Sequence, residues 1–512
     1  MIRENIYGGF YMSFDKEAAV KALRKHEADV YAVMHASSVL STDGVTAAPE
    51  DSWEGRARTM GYLSELEYNL STDPAFFSLL EELDGHTDEL DRQVRREVRV
   101  LRREADHIVK IPAEEYVQYS MLVSEASNLW IKAKNDNDFS LFAPYLEKLV
   151  AANRRMAELW NPDEHPYNVL LDNYEEGLTM AQCERFFSTV REGIVPLIHK
   201  IADKQYPKYP FESREYPIPA QDAFSHALMD LEGIDPKRCT LTTTEHPFTS
   251  GVNNHDVRIS THYHEHDFIA SMYSVLHEGG HALYELNGDD CYNYTCLYGG
   301  ASMSIHESQS RFYENLIGRS KAFAGPLLNA ARSFFPEQLS DVTEEMFYRA
   351  VNRAQPSLVR TEADELTYSL HVMIRYEIEK QLIEGSLQIK DVPAAWNDLY
   401  EAYLGVRPST DKEGCLQDSH WSGGMFGYFP SYALGSAYGA QMLFRMEKEV
   451  PGLWQSVADG DLKPVTAWLR EHIHRYSALC TPKEIIENVC GGFDPSVYVR
   501  YLTEKYSALY NL

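Results

Sequence analysis

Residues 267–286 read DFIASMYSVLHEGGHALYEL, and their apolar positions recur at the spacing of an amphipathic α-helix. The apolar stripe consists of Met272, Val275, Leu276, Leu283 and Leu286. Gly279 and Gly280 stand inside this helix, although each costs about 1 kcal/mol relative to alanine. Local stability does not explain that cost, so the two glycines predict that another backbone approaches the helix closely on their face.

The same helix carries two histidines four positions apart, with a glutamate after the first, in His277-Glu278-Gly279-Gly280-His281. An α-helix turns about 100° per residue, so both imidazoles lie on one face and can reach a single ion. Glu278 lies on the flank of that face, beside the position that a water on the ion would take. The motif predicts a catalytic metal site with Glu278 as the general base; a pair of core histidines is the alternative.

A third ligand must come from another helix. Glu285 continues the row of His277 and His281, but it lies about 12 Å along the axis from His277, too far to share an ion whose ligands stand at about 2 Å. Glu307 is the candidate, because it follows on the next predicted helix after a turn at 298–300. Its alternative role is in a capping box, since Ser304-x-x-Glu307 has that pattern at a helix start.

Most of the remaining chain also has helical periodicity. The predicted helices are 15–36, 87–110, 113–134, 178–203, 267–286, 303–317, 365–383, 432–449 and 495–510. Residues 240–263 differ, being rich in threonine and β-branched residues around a turn at 251–254, and they predict a small antiparallel sheet beside the metal-binding helix. We therefore expect a mainly α fold over 1–512, as a single domain or as two helical lobes that flank a deep cleft.

The composition restricts the partners and the cellular location. The chain has 77 acidic and 48 basic residues, a formal net charge of −29, so its surface repels phosphate backbones and anionic lipids. We expect no nucleic-acid partner and no membrane partner. The first 20 residues contain no uninterrupted apolar signal segment, and the seven scattered cysteines are typical of reduced thiols. These features predict a cytoplasmic protein.

Five further sequence blocks accompany the motif of the metal helix. With it, the blocks are His246-Pro247-Phe248, Asp256-Val257-Arg258-Ile259-Ser260, His277-Glu278-Gly279-Gly280-His281, His306-Glu307-Ser308-Gln309, Val359-Arg360-Thr361-Glu362-Ala363-Asp364 and Gly414-Cys415-Leu416-Gln417-Asp418-Ser419-His420-Trp421. Together they resemble the carboxypeptidase Taq family of zinc metallocarboxypeptidases, in order, over 246–421. The family usually has Thr where Ser260 stands and Ile where Val359 stands, and both differences are conservative.

The resemblance implies a helical, cleft-containing fold similar to that of neurolysin and angiotensin-converting enzyme, usually as a homodimer. It implies broad removal of single C-terminal amino acids from peptides with a free C-terminus, with one zinc or cobalt ion per chain. Four positions match the chemical core of the family motif, with His277, His281 and Glu307 as metal ligands and Glu278 as the base. The resemblance also implies that Arg360 binds the substrate carboxylate and that Arg258 helps to close the cleft. It places His420, Tyr428 and Tyr432 on the primed side, where His420 or a tyrosine would donate to the oxyanion.

Two other functions fit part of this pattern. An endo-acting zinc oligopeptidase shares the metal chemistry but has no anchor for a terminal carboxylate. A non-catalytic helical binding protein would be favoured if Glu278 or a ligand were missing. The presence of Glu278 and Arg360 favours the carboxypeptidase. The sequence assigns no role to His246 or to the alternating row of His262, His264 and His266.

Overall fold

The computed structural model describes residues 14–202, 204 and 206–512, which form two compact units. The first unit comprises 14–109 with 294–296, and its helices are α1 (Lys16–Thr46), α2 (Trp53–Ser71), α3 (Pro74–Asp84) and α4 (Arg92–Val109). Leu23, Leu80 and Val98 lie fully buried in its core. The prediction that no signal segment is present rests largely on residues 1–13, which lie outside the described residues.

The second unit comprises 110–293 and 297–512 and contains sixteen α-helices among its described residues. They are α5 (Ala113–Asp136), α6 (Phe139–Trp160), α7 (Pro166–Tyr174), α8 (Met180–Ala202), α9 (Ile218–Glu232), α10 (Phe268–Leu286), α11 (Met303–Arg311), α12 (Lys321–Phe334), α13 (Glu344–Val351), α14 (Tyr368–Glu384), α15 (Val392–Leu404), α16 (Pro430–Glu449), α17 (Leu453–Ala458), α18 (Lys463–His472), α19 (Pro482–Cys490) and α20 (Pro495–Tyr510). The predicted mainly α fold is confirmed. Across the described ranges of both units, every helix is too short or too polar to cross a bilayer.

A three-stranded sheet precedes α10, as predicted, with strands β1 (Cys239–Thr243), β2 (Thr249–Asn253) and β3 (Asp256–Thr261) in the order β1-β3-β2. The predicted antiparallel pairing is present between β2 and β3, but it needs correction at β1, which pairs with β3 in parallel. The chain reverses twice between β1 and β3, so the central strand regains the direction of β1.

The turn between β2 and β3 also needs correction, because it lies at Asn254-His255, and Gly251 belongs to β2. A Cβ on Gly251 would lie 2.5 Å from the hydroxyl of Tyr298 and 2.8 Å from the carboxylate of Glu285. The glycine is therefore required by a close side-chain approach and not by a turn.

Helix α10 begins after its N-cap Asp267 and packs against β3, α9 and α11. A Cβ on Gly280 would lie below 3.0 Å from the backbone of Gln309 in α11, which real Cβ atoms essentially never do. A Cβ on Gly279 would collide in the same way with the side chain of Glu232 in α9. The predicted close approach of a backbone is confirmed at Gly280, whereas the neighbour of Gly279 is a carboxyl group.

Helix α11 begins after its N-cap Ser302 and continues directly into a π-helical turn over Phe312–Ile317. Such turns inside α-helices are frequent at functional sites. Helix α16 packs along α11 from another side, where a Cβ on Gly435 would lie 2.7 Å from the Cβ of Glu307. Both α10 and α16 therefore approach α11 through a glycine.

Candidate active site

The two histidines of α10 and Glu307 of α11 come together on the wall of one cavity. Nε2 of His277 lies 3.7 Å and Nε2 of His281 lies 3.6 Å from Oε2 of Glu307. The three candidate ligand atoms lie within 4.8 Å of one another. Two imidazole nitrogens and one carboxylate oxygen are the donor set of catalytic zinc sites that keep a further position for water or substrate. These residues therefore fit a single divalent ion.

Polar partners orient His277 and Glu307. Nδ1 of His277 lies 2.9 Å from Oε2 of Glu314, a residue of the π-helical turn. Arg311 donates from Nε to Oε1 of Glu307 at 2.8 Å and from Nη1 to Oε2 of Glu314 at 3.1 Å. Ser310 donates from Oγ to Oε2 of Glu307 at 3.0 Å. Such partners fix the orientation of metal-binding side chains and their basicity.

His281 is supported by a second imidazole instead of a carboxylate. Its Nδ1 lies 2.6 Å from Nδ1 of His306, and Nε2 of His306 lies 2.7 Å from Oε1 of Glu285. The sequence places Glu285 too far along α10 to bind the ion. In the structure it instead contacts His306, the partner of the candidate ligand His281.

Burial and nearby charges set the protonation of these groups. Burial would raise the pKa of Glu307, but Arg311, His281 and His277 outweigh it and hold that pKa well below its usual range. Burial is also outweighed at Glu314, where Arg311 and His277 lower the pKa to about 2. Burial lowers the pKa of His281, which favours the neutral imidazole that a metal ligand requires.

Glu278 lies next to the ligand group in sequence but is not part of it. Its side chain is buried, and its Oε2 accepts a hydrogen bond from Oγ1 of Thr249, on β2, at 2.6 Å. The strand before α10 thus holds this carboxylate in place on the flank of the helix.

The capping-box alternative for Glu307 does not match the structure. The N-cap of α11 is Ser302 and not Ser304, and the carboxylate of Glu307 contacts Arg311 instead. Glu175 reaches this helix start: its Oε1 accepts from the Ser302 hydroxyl at 3.0 Å and its Oε2 from the Ser304 N–H at 3.2 Å. Burial raises the pKa of Glu175 to about 7.

The cavity beside the ligands has a volume of about 550 Å³, which suits a short peptide segment. Tyr428 and Tyr432 line it together with the three candidate ligands. Nε2 of His420 lies 3.2 Å from the hydroxyl of Tyr432. Burial lowers the pKa of His420 to about 4, so this imidazole is neutral at neutral pH. The structure thus brings His420, Tyr428 and Tyr432 into one aromatic cluster at the cavity.

Arg360 lies next to this cluster, with its guanidinium carbon 4.8 Å from the ring centroid of Tyr432. Its Nε and Nη2 donate to Oδ1 of Asp418 at 3.0 and 2.8 Å. Arg375, which is fully buried, donates from Nε to Oδ2 of the same carboxylate at 2.7 Å. One aspartate thus faces two guanidinium groups, which leaves this trio with a net positive charge.

Arg258 and the row of His262, His264 and His266 are not among the residues that line the cavity. Arg258, on β3, donates from Nε and Nη2 to the carboxylate of Asp256 at 3.0 and 2.9 Å. Nδ1 of His262 lies 2.9 Å from the carbonyl oxygen of Thr244.

Sequence reasoning missed the partners that orient the site, namely Glu314, Arg311 and Thr249. The sequence does contain a signal for Arg311 and Glu314. They follow Glu307 at positions i+4 and i+7, which places all three on one face of a helix. Thr249 has no comparable signal, since its contact with Glu278 depends on how β2 packs against α10.

Comparison with known proteins gives matches over nearly the whole chain. The sequence matches the family described as carboxypeptidase Taq (M32) metallopeptidase over residues 22–506. It is 40% identical to Carboxypeptidase 1 of Bacillus subtilis over 95% of this chain and 96% of that protein. It is 37% identical to Thermostable carboxypeptidase 1 of Pyrococcus furiosus over 96% of this chain and 99% of that protein. The fold matches the crystal structure of M32 carboxypeptidase from Deinococcus radiodurans with a TM-score of 0.93 and 36% identity, over 97% of this chain and 100% of that one. The chain therefore belongs to the carboxypeptidase Taq (M32) family of metallopeptidases.

Proposed function

We propose that this protein removes single amino acids from the C-terminus of peptides by hydrolysis that depends on one zinc ion. The observation that carries the proposal is the convergence of ligand atoms of His277, His281 and Glu307 within 4.8 Å. Glu278 lies between the two histidines on α10. Family membership supports a divalent metal and a peptide substrate. When bound, the ion would supply Lewis acidity that acidifies a water molecule and polarises the scissile carbonyl.

Glu278 is the proposed general base. Its carboxylate takes the proton of the attacking water as the water oxygen adds to the scissile carbonyl carbon, and it gives that proton to the leaving nitrogen as the C–N bond breaks. The hydrogen bond from Thr249 to Oε2 fixes the carboxylate and leaves Oε1 for proton transfer. The same group thus serves both halves of the reaction.

The aromatic cluster supplies the proposed donors to the oxyanion. Burial raises the pKa of Tyr428 and that of Tyr432, so both hydroxyls stay protonated at neutral pH. Neutral His420 carries one N–H, and its contact with Tyr432 orients that hydroxyl. Donors held in a buried site stabilise developing negative charge more strongly than water does.

Arg360 is the proposed ligand of the substrate's terminal carboxylate, and Arg258 is proposed to help close the cleft. A chain with a net charge of −29 repels a carboxylate at long range, so a local cation must offset the field. The net positive charge of Arg360, Arg375 and Asp418 supports this assignment, because Asp418 balances only one of the two guanidinium groups.

Arg360→Ala tests the anchor. We expect it to lower kcat/KM on free-acid peptides. The lost transition-state stabilisation should be about 1.5 to 3 kcal/mol, the value of hydrogen bonds to a charged group. Arg353→Ala is the matched control, because Arg353 also pairs with a carboxylate, that of Glu212 at 2.7 Å, but does not belong to the site. Equal losses in both variants would contradict the anchor.

Digestion of one peptide as its free acid and as its C-terminal amide, followed by mass spectrometry, tests the mode of attack. We expect stepwise loss of single residues from the acid, tolerance of an acylated N-terminus, and no cleavage of the amide. Internal cuts that precede any terminal loss would favour the oligopeptidase. A protein that binds one zinc ion per chain but cleaves neither form would favour the non-catalytic binding protein. Elemental analysis of the purified protein distinguishes zinc from cobalt.

We also propose that the protein is a cytoplasmic homodimer. None of the seven cysteines, all of which lie within the described residues, forms a disulfide, which favours a reducing compartment. Trp53, Tyr62 and Leu66 of α2 are exposed apolar side chains, which is typical of a surface that another chain covers. Sedimentation at the mass of a single 58.6 kDa chain would contradict the dimer.

A further inference from the structure

We propose that His306 and Glu285 act as positioning residues for the metal ligand His281, through a one-directional hydrogen-bond relay. The relay runs from Nδ1 of His281 to Nδ1 of His306 at 2.6 Å, and from Nε2 of His306 to Oε1 of Glu285 at 2.7 Å. This inference rests on the proposed role of His281 as a ligand.

The direction of the relay follows from the tautomer that metal binding requires. Nε2 of His281 faces Oε2 of Glu307 and must carry a lone pair to bind the ion, so the ring proton of His281 stands on Nδ1. Nδ1 of His306 must then accept that proton's hydrogen bond, which places the proton of His306 on Nε2. That N–H donates to Glu285, whose carboxylate only accepts when ionised. Each donor thus determines the next.

Glu285 therefore affects His281 without touching it. Without the carboxylate, neutral His306 is free to carry its proton on Nδ1, where it would oppose the Nδ1–H of His281. The structure supports His277 differently, since its Nδ1 contacts the carboxylate of Glu314 directly at 2.9 Å. One ligand thus has a carboxylate partner, and the other has an imidazole whose orientation depends on a carboxylate.

Packing holds the relay in place. A Cβ on Gly300 would lie 2.7 Å from Cδ2 of His306 and 2.9 Å from Cε1 of Tyr284, so only glycine leaves room for the His306 ring there. The ring of Tyr284 stands 5.2 Å from that of His306. Glu285 continues the row of His277 and His281 on α10, which explains how a residue too distant to bind the ion still reaches the partner of a ligand.

The test is the zinc dissociation constant of the metal-free full-length protein, measured by competition with a chromophoric chelator. We expect His306→Leu and Glu285→Ala each to raise this constant by about 10- to 100-fold, the usual effect of losing such a partner. His474→Gln is the matched control. His474 is fully buried, whereas His306 is partly exposed, so replacing His474 disturbs packing at least as much. It also packs on Tyr284, but its Nε2 contacts Gln309 at 2.8 Å and no ligand. An equal loss in the control would overturn the proposal, because general disruption would then explain the effect.

A double-mutant cycle separates a relay from two independent structural roles. His306→Asn keeps an acceptor near the position of Nδ1 but ends the link to Glu285. Glu285→Ala should therefore weaken zinc binding in the wild-type background and have no further effect in the His306→Asn background. Equal effects in both backgrounds, or a constant within about twofold of wild type for Glu285→Ala, would overturn the relay. This cycle decides the question even where His306→Leu does not fold.

His281→Ala separates this inference from the proposed function. Loss of zinc in that variant, with zinc retained in the relay variants, would contradict the relay alone. Retention of zinc by His281→Ala itself would contradict the metal site. The absorption spectrum of the cobalt-substituted protein adds a readout independent of activity, because a change in the orientation of His281 alters the ligand field, whereas loss of an unrelated packing contact does not.

Discussion

The close contact of α10 with α11 makes Gly280→Ala the sharpest test of how the fold builds the site. A Cβ at position 280 would lie 2.7 Å from the Cα of Ser310 and 2.9 Å from the carbonyl carbon of Gln309, whereas ordinary contact begins at 3.4 Å. Both neighbours are backbone atoms, so no side-chain rotation relieves the overlap. The two helices must therefore separate by about 0.5 Å or more.

Two opposing effects determine the change in stability. Overpacking of this kind costs about 1 to 3 kcal/mol, and an overlap with backbone belongs at the upper end. Alanine recovers about 1 kcal/mol of helix propensity relative to glycine. We therefore expect a net loss of about 2 kcal/mol. Glu307 lies in the same turn of α11 as Gln309 and Ser310, the residues that would be displaced. Metal-ligand distances tolerate changes of only about 0.2 Å, so zinc affinity should fall as well.

The assay compares thermal unfolding of the metal-free protein with zinc content after mild dialysis. Gly61→Ala is the matched control, because Gly61 also lies inside a helix, α2, and its Cβ would meet no atom within 4 Å. The control should unfold at a slightly higher temperature and bind zinc normally. A Gly280→Ala variant that unfolds no earlier than wild type and retains its zinc would refute the argument that this glycine sets the distance between the ligand helices.

Three further predictions address individual carboxylates. Glu278→Gln should keep the fold and about one zinc ion per chain but lower turnover by at least about 10², because only the proton-transfer group is lost; kinetics near wild type would remove Glu278 from the mechanism. Glu307→Ala should lower zinc occupancy after dialysis with little loss of helix stability, since Ser302 caps α11; full occupancy would require a different third ligand. Glu232 is buried, neither of its oxygens has a hydrogen-bond partner among the described residues, and burial raises its pKa well above the usual range. The pKa of Glu232 is higher in the folded than in the unfolded protein, where it is about 4.3. The stability that protonated Glu232 contributes is therefore complete below about pH 4.3. Above that pH the free energy of unfolding falls by about 1.4 kcal/mol per pH unit, until the pH reaches the folded pKa. Glu232→Gln should therefore flatten the decline of the unfolding temperature with rising pH, and an unchanged slope would speak against this reasoning.

Features that depend on local periodicity could be predicted from the sequence. The spacing of His277 and His281, the position of Glu307 on the next helix and the unusual glycine at 280 all follow from helix geometry. Helix α1 runs to Thr46 instead of ending at 36, because the weak periodicity of residues 37–46 hides the continuation of the helix. Helix α1 packs against α2.

Features that depend on contacts between distant segments could not be predicted. The carboxylate partner of Arg360 is Asp418, which lies 58 positions further along the chain and is shared with Arg375. Likewise, β1 is parallel to its neighbour because β3, and not β2, is the central strand of the sheet. No residue pattern within β1 indicates which strand is central. The orientation of a loop and the order of strands depend on the whole fold.

The glycines and charges around α11 explain why the chain accepts local costs at this point. As a proposed metal ligand, Glu307 must hold its carboxylate within a few tenths of an ångström of a fixed position, although it projects from a helix of nine residues. Gly280 on α10 and Gly435 on α16 bring backbones against α11 from two sides, and Arg311 ties the carboxylate to Glu314 in the π-helical turn. Larger residues at the two glycine positions would improve helix propensity but would separate the helices that carry the ligands. The local preference for alanine and the geometry of the metal site therefore oppose each other, and the observed sequence favours the site.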